Sequence, residues 1–160
     1  MKLYVGTYKK YNEGNLFGEW VDLDDFYSKE HFLEYCHELH KDEDDPEFMF
    51  QDYEDDIEGE YDNFASESSI SEEYWEFKEY CNKSSLPPEA ILEYGSSYGD
   101  WRDAEENSCG SYEDFQDWYL MLGYEIPDHL ANYIDWDALE SDILMYYSHF
   151  EINGITYLFN

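Results

Sequence analysis

Apolar and polar positions change rhythm several times along the chain, and each change marks an expected element. Residues 3–8, LYVGTY, alternate with period two, as a half-buried strand does. Asn12 to Asn15 surround Gly14 with turn chemistry, and LFGEWVDL (16–23) predicts the returning strand. Ser28 is placed to open a helix in which Phe32, Leu33, Cys36, Leu39 and His40 recur at helical spacing, giving one apolar face. FMFQDY (48–53) predicts a third strand, so residues 1–61 predict a small antiparallel sheet carrying one helix.

From Glu58 to Ser69 the chain turns polar, which predicts a first boundary. Ser69 with Glu72 has capping-box spacing ahead of Tyr74, Trp75, Phe77 and Cys81. Pro87-Pro88 then begins a second helix, PEAILEY, that Gly95 is expected to end. The run 95–111 predicts a second boundary, pinned in part by Trp101. Beyond it, Ser111 and Asp114 repeat the capping pattern before Phe115, Trp118, Tyr119 and Leu122, and Gly123 stops that helix. LANYI follows Pro127 and Asp128, and Asp135 can cap a helix containing Trp136, Leu139, Ile143 and Leu144. SHFEI, Asn153-Gly154 and ITYLF predict a terminal hairpin with a type I′ turn. The expected class is α+β in three small pieces with mostly antiparallel pairing: an N-terminal α+β domain (1–61), a helical middle domain (62–100) and a C-terminal α+β domain (101–160).

Charge changes this picture. The 160 residues hold 41 acids against 8 bases, a formal net charge of -33. Confining that charge in one globule costs on the order of tens of kcal/mol of screened repulsion, which favours an elongated chain of small cores. Leu, Ile, Val and Phe make up only about a fifth of the residues, a level typical of disorder in so charged a chain. The 18 Tyr and 5 Trp point the other way, because aromatic rings fill thin cores while their polar tips reach water. Phe115, Trp75, Trp118 and Trp136 are expected core residues, with one C-terminal aromatic face as a candidate dimer seam. Cys36, Cys81 and Cys109 form an odd set without CxxC spacing, and no signal peptide or long apolar run is present. A soluble, reduced, cytoplasmic protein is expected.

The densest charge lies between Lys41 and Asp62: Asp42, Glu43, Asp44, Asp45, Glu47, Asp52, Glu54, Asp55, Asp56, Glu58, Glu60 and Asp62. Phe48, Met49, Phe50, Tyr53, Ile57 and Tyr61 are threaded through it, whereas disordered acidic tails lack such anchors. Glu72, Glu73, Glu76 and Glu79 then crowd one helix, where like charges cost about 0.2–0.5 kcal/mol per pair. A solubility coat is the ordinary explanation, but such coats interleave Lys with Glu, and bases are scarce after residue 42. The net charge equals the phosphate charge of about 16 to 17 base pairs of duplex DNA. It opposes direct nucleic-acid binding and matches competition for a positively charged DNA groove.

Specific chemistry is poorly represented. Cys36 and His40 share helical spacing beside His31 and His37, but no second cluster completes a zinc site. Asp42, Asp44 and Asp45 open like a calcium loop, yet Pro46 and Met49 occupy required positions. No metal, cofactor or catalytic residue is expected, and no GxSxG, HExxH or phosphate-binding glycine loop occurs.

YVGTYKKYNEGNLFGEW (4–20), FQDYE (50–54), IPDHLANYIDWDALESDI (126–143) and the terminal hairpin resemble the ArdA antirestriction proteins, in family order. The middle, about 62–110, matches only through LPPEA and its acidic helices. The resemblance implies an elongated, three-domain homodimer, joined through its C-terminal domain. It would imitate bent B-form DNA and occupy the DNA groove of type I restriction-modification enzymes, protecting phage or mobile-element DNA inside the host cell. By this analogy the carboxylates of 42–62, Glu72, Glu73, Glu76, Glu79, Asp103, Glu105, Glu106, Glu113, Asp114 and Asp117 stand for phosphates. Two other readings stay open: an acidic module sequestering another DNA-binding protein or an immune nuclease, and an enzyme with a carboxylate site.

Overall fold

A computed structural model describes residues 1–160. Leu3 and Val5 are fully buried on β1 (Lys2–Thr7), the central strand of a three-stranded antiparallel sheet. Thr7 ends the strand and caps the short helix α1 (Tyr8–Asn12), its hydroxyl accepting from the Lys10 amide. Gly14, at a φ of 77°, then turns the chain. The return strand β2 (Glu19–Asp22) is shorter than the alternating pattern suggests, because Phe17 leaves the sheet and folds over Lys10 and His40.

Ser28 accepts from the His31 amide and starts α2 (Lys29–Leu39), as its position in the sequence predicts. Phe32 and Cys36 are the fully buried members of its apolar face, and Phe32 meets Phe50 of β3 (Phe48–Glu54) with ring centres 5.9 Å apart. The sheet order is β2-β1-β3, with a register shift between Tyr4 and Val5.

The polar stretch that follows is ordered. It forms α3 (Glu60–Phe64) and a minimal hairpin of β4 (Ala65–Ser66) and β5 (Ser69–Ile70), and it buries Phe64 and Ile70. Ser69 therefore lies in a strand, and Ser71 supplies the hydroxyl that accepts from the Glu73 amide at the head of α4 (Glu73–Cys81). Tyr74 and Phe77 are the buried side of α4, both packed against Phe64. Helix α5 (Pro88–Ser97) starts at the expected proline but continues through Gly95. A Cβ on Gly95 would lie 2.8 Å from the Cβ of Trp101, so this glycine permits a close approach instead of ending the helix. The chain divides into two compact units, Met1–Leu92 and Glu93–Asn160, and the division falls within the α5 segment of the sequence.

In the second unit a turn of 3-10 helix at Trp101–Asp103 leads to α6 (Ala104–Asn107) and β6 (Ser108–Tyr112). Asp114 caps α7 (Phe115–Met121), Gly123 follows it at a φ of 90°, and α8 (Asp128–Ala131) is a single turn. Asp135 caps α9 (Trp136–Leu144). Strands β7 (Ser148–Ile152) and β8 (Ile155–Phe159) form the expected hairpin, with Asn153 and Gly154 both at positive φ, as a type I′ turn requires. β6 joins this hairpin to give the antiparallel order β6-β8-β7. Tyr112, Phe115 and Leu158 are the buried centre of the core between sheet and helices, with Trp118, Trp136, Leu139 and Ile143 half-buried around them. The α+β class is thus observed, with all strand pairs antiparallel.

Candidate acidic interaction surface

The acidic stretch begins against a lysine that faces inward. Its ammonium, on α1, donates to Asp42 Oδ1 at 2.8 Å and lies 3.5 Å from Glu43 Oε1. Lys10 Nζ is also 3.0 Å from His40 Nδ1, and His40 Nε2 is 3.2 Å from the Val5 carbonyl. An ammonium has only protons to give, so Nδ1 accepts and the ring proton sits on Nε2, donating to Val5. Thr7 Oγ1 donates to Glu43 Oε1 at 2.7 Å, and the Phe17 ring closes over the lysine. Burial lowers the His40 pKa below its ordinary value, helped by Lys10 and opposed by the Val5 carbonyl, Glu43 and Asp42. The hydrogen bond from Lys10 lowers that of Asp42.

Past this anchor, Asp44, Asp45 and Glu47 are exposed on the loop into β3, and Asp52 and Glu54 are exposed on the strand itself. Tyr53 between them stacks on Tyr61, with ring centres 3.9 Å apart and planes 5° from parallel, which ties the strand end to α3. Asp55 is half-buried and caps the turn into α3, accepting from the Gly59 and Tyr61 amides. Asp56 binds the amino terminus, whose hydrogen bond lowers its pKa. Glu60 is completely buried: Oε2 accepts from the Asp56 and Ile57 amides and lies 3.6 Å from the Met1 ammonium. Among the carboxylates of 42–62, Asp42, Asp44, Asp45, Glu47, Asp52, Glu54, Asp56, Glu58 and Asp62 are exposed, Glu43 and Asp55 are partly covered, and Glu60 is inside.

Glu72, Glu73, Glu76 and Glu79 are exposed at the head of α4 and along it. Glu79 is bridged by Lys83 at 2.6 Å, and Lys78 turns away to Asp24 at 3.0 Å. In the second unit Asp103, Glu105, Glu106, Glu113, Asp114 and Asp117 are all exposed. Glu113 and Asp114 share a cavity of about 350 Å³ with Asp137, Glu140 and Glu151, three carboxylates outside the clusters expected from the sequence. A partial signal exists, since Asp137 and Glu140 are three apart on α9. Tyr112 donates to Glu140 at 2.7 Å, and burial with that bond raises the tyrosine pKa.

Chemically, this arrangement presents fixed negative charge. No group of three or more His, Cys, Asp or Glu side chains is placed to hold a metal ion. Cys36 and His40 are both buried, the imidazole nitrogens are engaged by Lys10 and Val5, and burial pushes the Cys36 thiol up to about 12. No helix is long and apolar enough to cross a membrane. One apolar feature stands out in the second unit, where Met121, Tyr133, Met145 and Tyr146 each leave more than four-fifths of their surface in water.

The family model for antirestriction protein (ArdA) matches residues 3–156, from the second residue of β1 into β8. The chain belongs to the ArdA family of antirestriction proteins. That match takes in every acidic cluster described above, including the middle region where the motif resemblance is thinnest. ArdA is an antirestriction family, acting against restriction-modification systems, and is not a known enzyme family. No curated protein matches the chain.

Proposed function

We propose that this ArdA chain acts as a DNA mimic, occupying the DNA-binding groove of a type I restriction-modification enzyme through its methyltransferase core. The observation that carries the reading is the way charge is held. Exposed carboxylates stand on ordered backbone anchored by aromatic residues, while Lys10 is turned inward and Lys2, Lys41, Lys78, Lys83 and Arg102 each pair with an acid. A partner's Lys and Arg side chains therefore meet carboxylates at fixed positions, with affinity from released counterions and selectivity from shape. No nucleic acid, membrane or cofactor is needed for this action, and it takes place in the cytoplasm of the host cell. The exposed apolar residues Met121, Tyr133, Met145 and Tyr146 suit a second copy of the chain, making a homodimer through the C-terminal unit.

The test is competition. Purified type I enzyme and labelled target duplex are titrated with the protein at about 50 and about 200 mM salt. Displacement of duplex that weakens steeply with salt is expected. Changing one exposed acid to its amide, such as Asp45→Asn, should cost less than about threefold, whereas converting Asp44, Asp45, Glu47 and Asp52 together should cost at least about tenfold. Failure to displace duplex at the lower salt would direct the protein to another DNA-binding partner.

A further inference from the structure

A cleft of about 620 Å³ lies between the segment Leu23–Ser28 and helix α4 in the first unit. One wall carries Tyr27, which is 80% exposed and stacked on His31 with ring centres 4.4 Å apart. The floor includes Trp75, whose indole N–H donates to the Phe26 carbonyl at 2.9 Å and is thereby fixed. The other wall carries Glu72, Glu76 and Glu79, which at i, i+4 and i+7 follow one side of the helix, Glu79 being bridged by Lys83 at its exposed end. The cation that lines the cleft, Lys78, is already engaged: it pairs with Asp24 at 3.0 Å and lies over the Tyr74 ring. Tyr74 in turn donates to Asp24 and receives the Met1 ammonium, so this end of the cleft is rigidly braced.

We infer that this cleft is a socket for an arginine side chain of the partner protein. The inference deepens the DNA-mimic reading, since it names one specific contact within a field of charge. A concave site lined by several carboxylates together with the Tyr27 and Trp75 rings suits a group that is both cationic and flat. Guanidinium meets this description: it is planar and weakly hydrated, stacks on tyrosine, and offers five donors to several acceptors at once. An ammonium is compact and strongly hydrated, and gains less from the aromatic wall. Tyr, Trp and Arg are the residues that concentrate binding energy at interfaces, and the cleft supplies the first two.

The socket can be tested apart from any restriction enzyme. Nα-acetyl-arginine amide and Nα-acetyl-lysine amide are titrated at constant ionic strength into the full chain, following the Trp75 indole N–H by NMR. Saturable shifts with the arginine probe, at least about threefold tighter than with the lysine probe, are expected. Equal response to both probes, or none, overturns the socket. In the duplex competition assay, Tyr27→Ala should weaken displacement about three- to tenfold with the salt slope unchanged, because no charge is lost. Tyr27→Phe should restore it. An unaffected Tyr27→Ala overturns the partner contact. Specific arginine binding by a protein that displaces no duplex would instead sink the type I target while leaving the socket in place for another arginine-bearing partner.

Discussion

His40 is neutral in a place built for charge. Its ring faces the Lys10 ammonium at one nitrogen and the Val5 carbonyl at the other, with Glu43, Asp42 and the rings of Phe17 and Phe48 around it. Because its folded pKa lies below the ordinary value, the unfolded chain takes up the proton first as the pH falls. The stability this residue contributes is complete above about pH 6.5 and is lost as the pH falls from there through the folded pKa. Urea midpoints measured from pH 7 downward should therefore drop across this window, ahead of the carboxylate transitions. His40→Gln, which keeps one donor and one acceptor but cannot titrate, should flatten that part of the profile; an unchanged slope would remove His40 as its source. The sequence showed His40 as a member of the apolar face of α2, and its burial follows from that. Lys10 was not legible in the same way, since no periodic apolar pattern around it marks it as buried. Its inward orientation depends on Thr7 capping α1 and on carboxylates that lie more than thirty residues further on.

Helices were legible where a cap and an aromatic face occur together. Ser28, Asp114 and Asp135 are N-caps in the structure, each bonded to an amide three residues on. Asp135→Ala should cost about 1 kcal/mol of stability, and Asp135→Asn much less, measured by urea unfolding. Strands without alternation were hidden. β6, SCGSY, contains Gly110 at a φ of 128° and an irregular register, and it exists because β8 offers it a partner. The β4–β5 hairpin has only two residues in each strand, and of those four only Ile70 is buried. Gly95 was readable as a helix stop, but the reason for the residue lies in Trp101, across a turn of chain. Gly95→Ala would ordinarily favour a helix by about 1 kcal/mol. Here the new methyl meets the Trp101 side chain at 2.8 Å, so a net loss of about 1–3 kcal/mol is expected. A stabilised variant would show that Trp101 yields easily.

At the scale of the whole molecule, a net charge of -33 makes solvent ions part of the folded state. Exposed like charges are screened within about 8–10 Å at moderate ionic strength, so added salt should raise the thermal midpoint by several degrees before Hofmeister effects enter. Sodium chloride and potassium chloride should act alike; a response only to divalent ions would mean discrete sites instead of a diffuse cloud. The position of the candidate surface was legible because charge and anchoring aromatics alternate from Lys41 to Asp62, and most of those acids are exposed. Glu60 was not separable from its neighbours in sequence, since only the fold brings the Met1 ammonium and two backbone amides to it. The acids thus fall into two kinds. Asp55, Asp114 and Asp135 hold backbone amides and need the short aspartate arm, whereas Asp44, Asp45, Glu47 and Glu58 are exposed and cap no helix. For the second kind an exchange of aspartate and glutamate moves a charge by little more than one methylene. Spelling along the outward array is therefore free to drift over generations while the field felt by a partner stays the same, and the caps are where the letters must hold.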